Sequence, residues 1–335
     1  MRALLLQGRE QAGLAELPVP MPGNGERLVR VTACGLCRTD AKMWAHGQRD
    51  LVLPRVLGHE ICGIEVESGN RVVVWPGVPC RHCLACSQRQ YHRCPSIQIV
   101  GFNRDGGLAE FVVAPARSLI EIPGELPAGL ATLAEPLACA IHAVQSLELV
   151  HGKRVLILGG GVMGLLLAYL FHGMGVESVV IVEPDLRRHE QGRPFLDVLR
   201  AAWQSPRFAR TQVEMQVEPP AAGAFDILVN ATAAPDALVA GLRCVVSGGQ
   251  VSLFSGLPAA GAMALPALNE IHYRELRVLG SYGCPPADMR QAVKLLGWQS
   301  KLLANLISGT LPLENAEQGL RHIIAGNGLK WIVTL

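Results

Sequence analysis

The chain has 335 residues, of which 50% are hydrophobic and 17% charged, so it is long enough for two domains with separate cores. The formal net charge of +2 gives no electrostatic case for nucleic-acid binding, and the apolar content excludes a disordered chain. No signal-peptide core or membrane partner is expected from the sequence. Ten cysteines, four of them clustered, indicate metal ligands rather than disulfides, which predicts a reducing, cytoplasmic location.

The first third of the chain is predicted to be rich in β-strands. Alternating or β-branched runs separated by Gly, Pro and Asn lie at residues 28–31, 61–66, 71–75 and 110–113. Apolar residues at helical spacing between positions 130 and 150 then predict a helix that leads into a second domain.

Possible metal ligands are dispersed through this β-rich third. Cys37 is followed by Thr39 and Asp40, and His59-Glu60 and Glu135 come later. Taken singly, a small buried cysteine, a satisfied histidine and a helix-capping glutamate are the more ordinary interpretations. Taken together, thiolate, imidazole and carboxylate are the mixed ligand set of a catalytic zinc that keeps one position open.

A compact cysteine cluster is the most specific pattern in the chain. Its spacing is two residues, two residues and then seven, at Cys80, Cys83, Cys86 and Cys94. Four thiolates so close in one loop predict a closed, tetrahedral structural zinc site. An iron–sulfur centre and a pair of disulfides are the alternatives. We expect this cysteine lobe to order a loop and to take no part in the chemistry.

From residue 154 onwards, strands and helices are predicted to alternate. Buried parallel strands are expected at residues 154–158, 178–182, 225–230 and 249–254, which indicates a doubly wound α/β sheet.

A glycine-rich turn follows the first of these strands and opens a helix. The turn has Gly159, Gly161 and Gly164 at dinucleotide-binding spacing, with Val162 and Met163 between the last two. These glycines allow a tight turn, approach of a pyrophosphate and close helix packing. A glycine-rich turn of another α/β protein, such as a methyltransferase, is the alternative.

An acidic residue ends the next strand. Glu183 lies about twenty residues after the turn, where a carboxylate accepts ribose hydroxyls and repels a 2′-phosphate. This favours NAD over NADP, although Arg187 and Arg188 could soften the preference. After residue 276 a strand (277–280), a helix (286–296) and a strand (330–335) predict a return to the first domain.

These residues carry a resemblance to a known family. The chain resembles the zinc-containing medium-chain dehydrogenase/reductase family, in its sorbitol/threonine dehydrogenase-like branch, over nearly its whole length. The segments that match are 37–47 with 58–60, the cysteine lobe, and 269–275 with 280–283. The resemblance implies a GroES-like β-rich catalytic domain (1–140 with 278–335) and an inserted Rossmann NAD-binding domain (141–277), in a homodimer or homotetramer.

The resemblance also implies roles for single residues. Cys37 and His59 would bind the catalytic zinc, with Glu60 or Glu135 as the third protein ligand. Arg38 and Lys330 would lie near the cofactor pyrophosphate, and Thr232 near the nicotinamide.

The predicted reaction is oxidation of a secondary alcohol or polyol. Zinc would lower the pKa of the alcohol, and Thr39 would take its proton. Lys42, which stands where the family often has histidine, or His46 would complete the relay. A threonine, sugar or cyclitol dehydrogenase and a non-catalytic NAD(H)-binding sensor are the competing interpretations.

Overall fold

The computed structural model describes residues 1–48, 51–202, 211–257 and 265–335. The strands there are β1 (Arg2–Gly8), β2 (Gln11–Glu16), β3 (Glu26–Leu36), β4 (Arg55–Val56), β5 (Glu60–Glu65), β6 (Arg71–Val74), β7 (Gly77–Val78), β8 (Gln98–Ile99), β9 (Phe111–Pro115), β10 (Leu119–Glu121), β11 (Arg154–Leu158), β12 (Ser178–Val182), β13 (Gln212–Gln216), β14 (Phe225–Asn230), β15 (Val245–Leu253), β16 (Arg277–Gly280), β17 (Ile307–Pro312) and β18 (Lys330–Thr334).

The α-helices in the described ranges vary from four to seventeen residues. They are α1 (Arg38–His46), α2 (Leu84–Ser87), α3 (Ala128–Ala131), α4 (Ala134–Gln145), α5 (Val162–Gly173), α6 (Leu186–Ala202), α7 (Pro235–Cys244), α8 (Leu265–Tyr273), α9 (Pro286–Trp298), α10 (Ser300–Leu303) and α11 (Ala316–Ile324). Single-turn 3-10 helices lie at Tyr91–Arg93, Ala116–Ser118, Ala304–Leu306 and Leu313–Asn315.

The chain folds into two compact units. Unit 1 comprises Met1–Ala138 and Cys284–Leu335, and unit 2 comprises Cys139–Gly283. The change from one unit to the other falls inside α4. Unit 2 extends past the predicted end at 277, because β16 pairs in parallel with β15 and so completes its sheet.

Unit 1 is built on a seven-stranded sheet in the order β10-β6-β5-β3-β18-β17, with β9 also paired to β3. The C-terminal strand β18 lies directly against β3, and Trp331 is opposite Leu36. On the other side of β3, Gly35 is opposite Glu60 of β5. The starts of β5 and β18 therefore flank the same end of β3. Smaller sheets, β2-β1-β4 and β7-β8, complete the unit.

Unit 2 contains a six-stranded sheet in the order β13-β12-β11-β14-β15-β16, and each adjacent pair is parallel. The central strand β11 is buried at four of its five positions, as expected for a strand covered on both faces. The chain crosses from the edge strand β13 back past β12 and β11 to β14, which creates the switch point beside which such sheets bind ligands. The carboxyl end of β11 is thus the predicted nucleotide site.

The structure differs from the sequence prediction in the segment that leads from unit 1 into unit 2. The helix predicted between positions 130 and 150 is two helices, α3 and α4, with Thr132 and Leu133 between them. Leu133 lies between the two helices and is buried. The helical spacing of apolar residues in the sequence therefore continues across the break and conceals it. None of the helices in the described part of the chain combines the length and hydrophobicity needed to cross a bilayer.

Candidate active site

The start of α1 fixes the first candidate metal ligand. Cys37 is the N-cap residue, and its Sγ accepts a hydrogen bond of 3.4 Å from the backbone N–H of Thr39. In return, Asp40 Oδ2 accepts a bond of 2.9 Å from the N–H of Cys37. This reciprocal capping box holds the thiol at the helix N-terminus.

Asp40 also orients the histidine. Its fully buried carboxylate bonds His59 Nδ1 at 3.1 Å and accepts from the N–H of Gly58 at 3.2 Å. Burial alone would lower the pKa of His59, but Asp40 and Cys37 raise it well above its ordinary value. With Nδ1 engaged by a carboxylate, Nε2 is the ring nitrogen that is left for a ligand. The rings of Phe102 and His59 pack in a T-shaped arrangement, with centroids 5.1 Å apart.

Three of the predicted ligands converge. One ligand atom each from Cys37, His59 and Glu60 lie within 4.8 Å of one another. We call these residues the catalytic cluster. Sulfur, imidazole and carboxylate together are a donor set that suits zinc. Among the described residues Glu135 is outside this group, although its charge acts on the neighbouring Lys330.

Lys330 lies inside unit 1, against Glu60. Its Nζ is 2.7 Å from both Glu60 carboxylate oxygens and also donates to the carbonyl of Leu36 at 3.2 Å. The side chains of Lys330 and Glu60 are only 5% and 0% exposed. Burial opposes the charged form, but Glu60, Cys37 and Glu135 raise the pKa of Lys330 above its usual value. The predicted role of Lys330 at the cofactor pyrophosphate stays a prediction.

The cysteine lobe forms a second cluster in unit 1. Sulfur atoms of Cys80, Cys83, Cys86 and Cys94 all lie within 4.8 Å of one another, and the four are free thiols. Backbone N–H donors, first that of His82, lower the pKa of Cys80 to about 6, whereas burial and neighbouring thiols raise that of Cys86 to about 12. A divalent cation bound by all four thiolates would offset the repulsion between their negative charges.

The glycine turn of unit 2 leads from β11 into helix α5. Helix α5 begins after Gly161, which caps it without a side-chain hydrogen bond. Gly159 has φ +104°, a conformation that glycine adopts readily. A Cβ at Gly164 would lie only 1.9 Å from the carbonyl oxygen of Gly159. The predicted turn geometry, with α5 packed closely on the turn, is therefore present.

Glu183 is held beside this turn. Its two carboxylate oxygens accept hydrogen bonds from the backbone N–H groups of Gly160 at 2.9 Å and Asp185 at 3.0 Å. Arg187 forms an ion pair of 2.8 Å with Asp185. Arg188 Nη1 donates to the Gln191 side chain at 3.4 Å. The acid thus faces the glycine turn, and Arg187 is paired with Asp185.

The other predicted cofactor contacts lie around the same turn. Val162 and Met163 are partly buried in the first turn of α5. Thr232 follows β14, and its Cβ would lie 3.4 Å from a Cβ placed on Gly159. Unit 2 therefore brings Thr232, the glycine turn and Glu183 to the carboxyl ends of neighbouring strands.

The remaining predicted residues lie on α1 in unit 1. Arg38 is exposed in the first turn, and Lys42 follows it by one turn and is partly buried. Burial, and then the charge of Arg38, lower the pKa of Lys42. His46 ends the helix. Because positions 38, 42 and 46 are spaced by four residues, they share one face of α1.

Comparison with known proteins identifies the family. Residues 23–124 match the alcohol dehydrogenase GroES-like domain. The chain is 33% identical to D-altritol 5-dehydrogenase of Agrobacterium fabrum over 93% of both chains. It is also 33% identical to L-threonine 3-dehydrogenase of Pyrococcus abyssi, over 81% of this chain and 80% of that one. The chain belongs to the zinc-containing medium-chain dehydrogenase family.

A solved dehydrogenase structure supports the fold assignment. A candidate zinc-binding dehydrogenase from Sinorhizobium meliloti 1021, solved with NADP, is 27% identical, and the match has a TM-score of 0.86 and covers 100% of this chain and 99% of that one. The predicted fold class, a GroES-like domain with a Rossmann domain, and the predicted branch of the family are thereby confirmed.

Sequence analysis of this dehydrogenase missed two contacts that shape the site. It assigned no role to Asp40, although a residue three positions after the N-cap is the ordinary partner in a capping box. It also missed the pair of Glu60 with Lys330, because 270 positions separate them and only the β5-β3-β18 strand order brings them together.

Proposed function

We propose that this dehydrogenase uses zinc and NAD(H) to interconvert a secondary alcohol of a polyol, or a sugar-derived alcohol, and the corresponding ketone. The observation that carries the proposal is the convergence of Cys37, His59 and Glu60 within 4.8 Å in a chain of this family. The glycine turn of unit 2 supplies the complementary nucleotide-binding element.

The catalytic cluster fits a zinc site with an open position. Cys37 and His59 would hold the ion, with Glu60 or Glu135 as the third protein ligand. Bound there, zinc would act as a Lewis acid that lowers the pKa of the substrate hydroxyl. Asp40 fixes the ring of His59, and the capping box fixes the thiol, so the donors need little reorganisation. The cysteine lobe would hold a second, structural zinc.

Residues of α1 are proposed to move the proton. The hydroxyl of Thr39 accepts the proton from the substrate and passes its own proton on toward Lys42, which lies on the next turn of the helix. The lowered pKa of Lys42 makes its neutral, accepting form available at a lower pH than for an ordinary lysine. His46 is the alternative end of the relay. The reaction chemistry of hydride transfer belongs to the nicotinamide.

The proposed cofactor is NAD. Glu183 is tied by two backbone N–H groups beside the glycine turn, where its charge disfavours a 2′-phosphate. Arg187 pairs with Asp185 and is therefore less able to attract that phosphate. The relative solved with NADP makes this assignment a point to test.

The proposed substrate class follows the relatives. Two relatives are named D-altritol 5-dehydrogenase and L-galactonate-5-dehydrogenase, the latter 28% identical over 92% of this chain. Both names denote oxidation at carbon 5 of a polyhydroxylated chain. The threonine dehydrogenase relatives make an amino alcohol the second candidate substrate.

A substrate panel tests the proposal directly. Polyols, sugar acids, simple secondary alcohols and threonine are assayed for NADH and NADPH production at alkaline pH. We expect turnover of a polyhydroxylated substrate with NAD. An inert panel with both cofactors would contradict the proposed activity.

Metal analysis separates the enzyme from a non-catalytic NAD(H)-binding sensor. Two zinc ions per chain are expected for the enzyme, and one ion confined to the cysteine lobe for the sensor. Replacement of Cys37 by serine should remove turnover and leave NADH binding intact. Retained activity would exclude Cys37 from the mechanism. A homodimer or homotetramer and a cytoplasmic location stay predictions.

A further inference from the structure

The ion pair of Lys330 and Glu60 spans a central strand of unit 1. Glu60 begins β5 and Lys330 begins β18, and β3 lies between these two strands. Neighbouring strands are about 4.8 Å apart, so the two side chains must meet above β3. Both contacts of Nζ with the carboxylate oxygens measure 2.7 Å.

Gly35 of β3 provides the space for this meeting. It lies opposite Glu60, and a Cβ on Gly35 would stand 2.1 Å from Glu60 Oε2. Any other residue would therefore displace the carboxylate. The carboxylate is held in a recess in which one cation, Lys330, already contacts both of its oxygens.

The same carboxylate belongs to the catalytic cluster. An oxygen of Glu60 lies within 4.8 Å of the ligand atoms of Cys37 and His59. Two cations, a lysine ammonium and a metal ion, thus have access to one carboxylate. The strength with which the Glu60 carboxylate binds the metal ion therefore depends on how strongly it binds the lysine ammonium.

We propose that Lys330 is a positioning residue that competes with the metal for Glu60 and thereby weakens metal binding at the catalytic cluster. The inference rests on the proposed function only in requiring that a metal binds this cluster. It differs from the predicted role of Lys330 at the pyrophosphate, since that role acts on the cofactor and this one acts on metal retention.

Removing the charge of Lys330 should strengthen the binding of the metal by Glu60. A fully buried carboxylate without a cation is costly, so Glu60 would be left with the metal as the remaining cation within reach. The Lys330→Met variant, of similar length, should therefore hold the metal of the catalytic cluster more tightly than wild type. The Lys330→Arg variant keeps the charge and should resemble wild type.

The experiment measures metal retention on the zinc-loaded full chain. Zinc release to a chelating dye is followed in wild type, Lys330→Met, Lys330→Arg and a matched control, Lys294→Met, whose lysine is exposed on α9. A Cys37→Ser sample identifies the phase that comes from the catalytic cluster. The absorption spectrum of cobalt-substituted samples reports the ligand set, and NADH titration reports cofactor binding.

We expect at least tenfold tighter metal retention at the catalytic cluster in Lys330→Met, with a changed cobalt spectrum. Lys330→Arg and Lys294→Met should stay within threefold of wild type. Equal or weaker retention in Lys330→Met would overturn the inference, as would a tenfold loss of NADH affinity with unchanged metal retention. If Lys330→Met is not recovered folded, Lys330→Gln replaces it under the same criteria. A wild-type chain that binds no metal at the cluster would overturn the proposed function as well.

Discussion

Replacement of Gly164 by alanine tests whether the glycine turn is held by steric contact. The new Cβ would lie 1.9 Å from the Gly159 carbonyl oxygen, whereas ordinary contacts begin near 3.4 Å, so α5 and the turn must separate by about 1.5 Å. Because the neighbour is backbone, we take the upper overpacking cost, about 3 kcal/mol. The better helix propensity of alanine returns about 1 kcal/mol. A net loss of about 2 kcal/mol corresponds to a fall in Tm of about 4–8 °C.

Thermal unfolding and NADH titration measure this effect, with Gly161→Ala as the matched control. A Cβ at Gly161 meets nothing within 4 Å, and its φ of −75° suits alanine. The control should therefore change the stability of the cofactor-free chain by less than about 0.5 kcal/mol. It should still weaken NADH binding, because the methyl group fills the approach of the pyrophosphate. Equal Tm values for Gly164→Ala and wild type would refute the steric argument.

Three further changes test the site. Lys42→His should move the rising limb of the pH–kcat profile to lower pH, since an ordinary histidine titrates near about 6.5 and an ordinary lysine near about 10.4, a difference that burial and the charge of Arg38 make smaller by lowering the pKa of Lys42; an unmoved limb would remove Lys42 from the relay. Cys94→Ser should reduce the zinc content from two ions per chain to one and lower the Tm, and an unchanged zinc content by atomic absorption would contradict a structural zinc in the cysteine lobe. Glu183→Ala should raise the NADP to NAD ratio of kcat/KM at least tenfold, by steady-state assay; a constant ratio would show that Glu183 does not select the cofactor.

The sequence predicted unit 2 best where strands are buried on both faces. Runs such as that of β11 are continuous and apolar, and the structure places β11, β12 and β14 at the predicted bounds. The edge strand β13 was not predicted, because it has only five residues and three of them, two glutamines and one glutamate, are polar. The segment that forms α3 and α4 was predicted as one helix, since the buried Leu133 between them keeps the helical spacing of apolar residues.

The candidate site was predictable in its ligand types but less so in its contacts. Cys37, His59 and Glu60 could be grouped because few chemistries combine those donors. The choice between Glu60 and Glu135 could not be made, since it depends on side-chain positions set by β3, β5 and β18. The role of Lys330 was predicted from the family resemblance alone, because no local sequence pattern reveals a partner on another strand.

The position of β18 beside β3 has a consequence for biosynthesis. Trp331 pairs with Leu36, so the middle of the larger sheet stays open until β18 has left the ribosome. At about 5–20 residues per second, the wait is on the order of 15–60 s. Unit 2 is a continuous segment and can fold during that interval, whereas the waiting strand offers an unpaired edge to neighbouring nascent chains. A chain terminated before Lys330 would lack this closing strand and the counter-charge of Glu60.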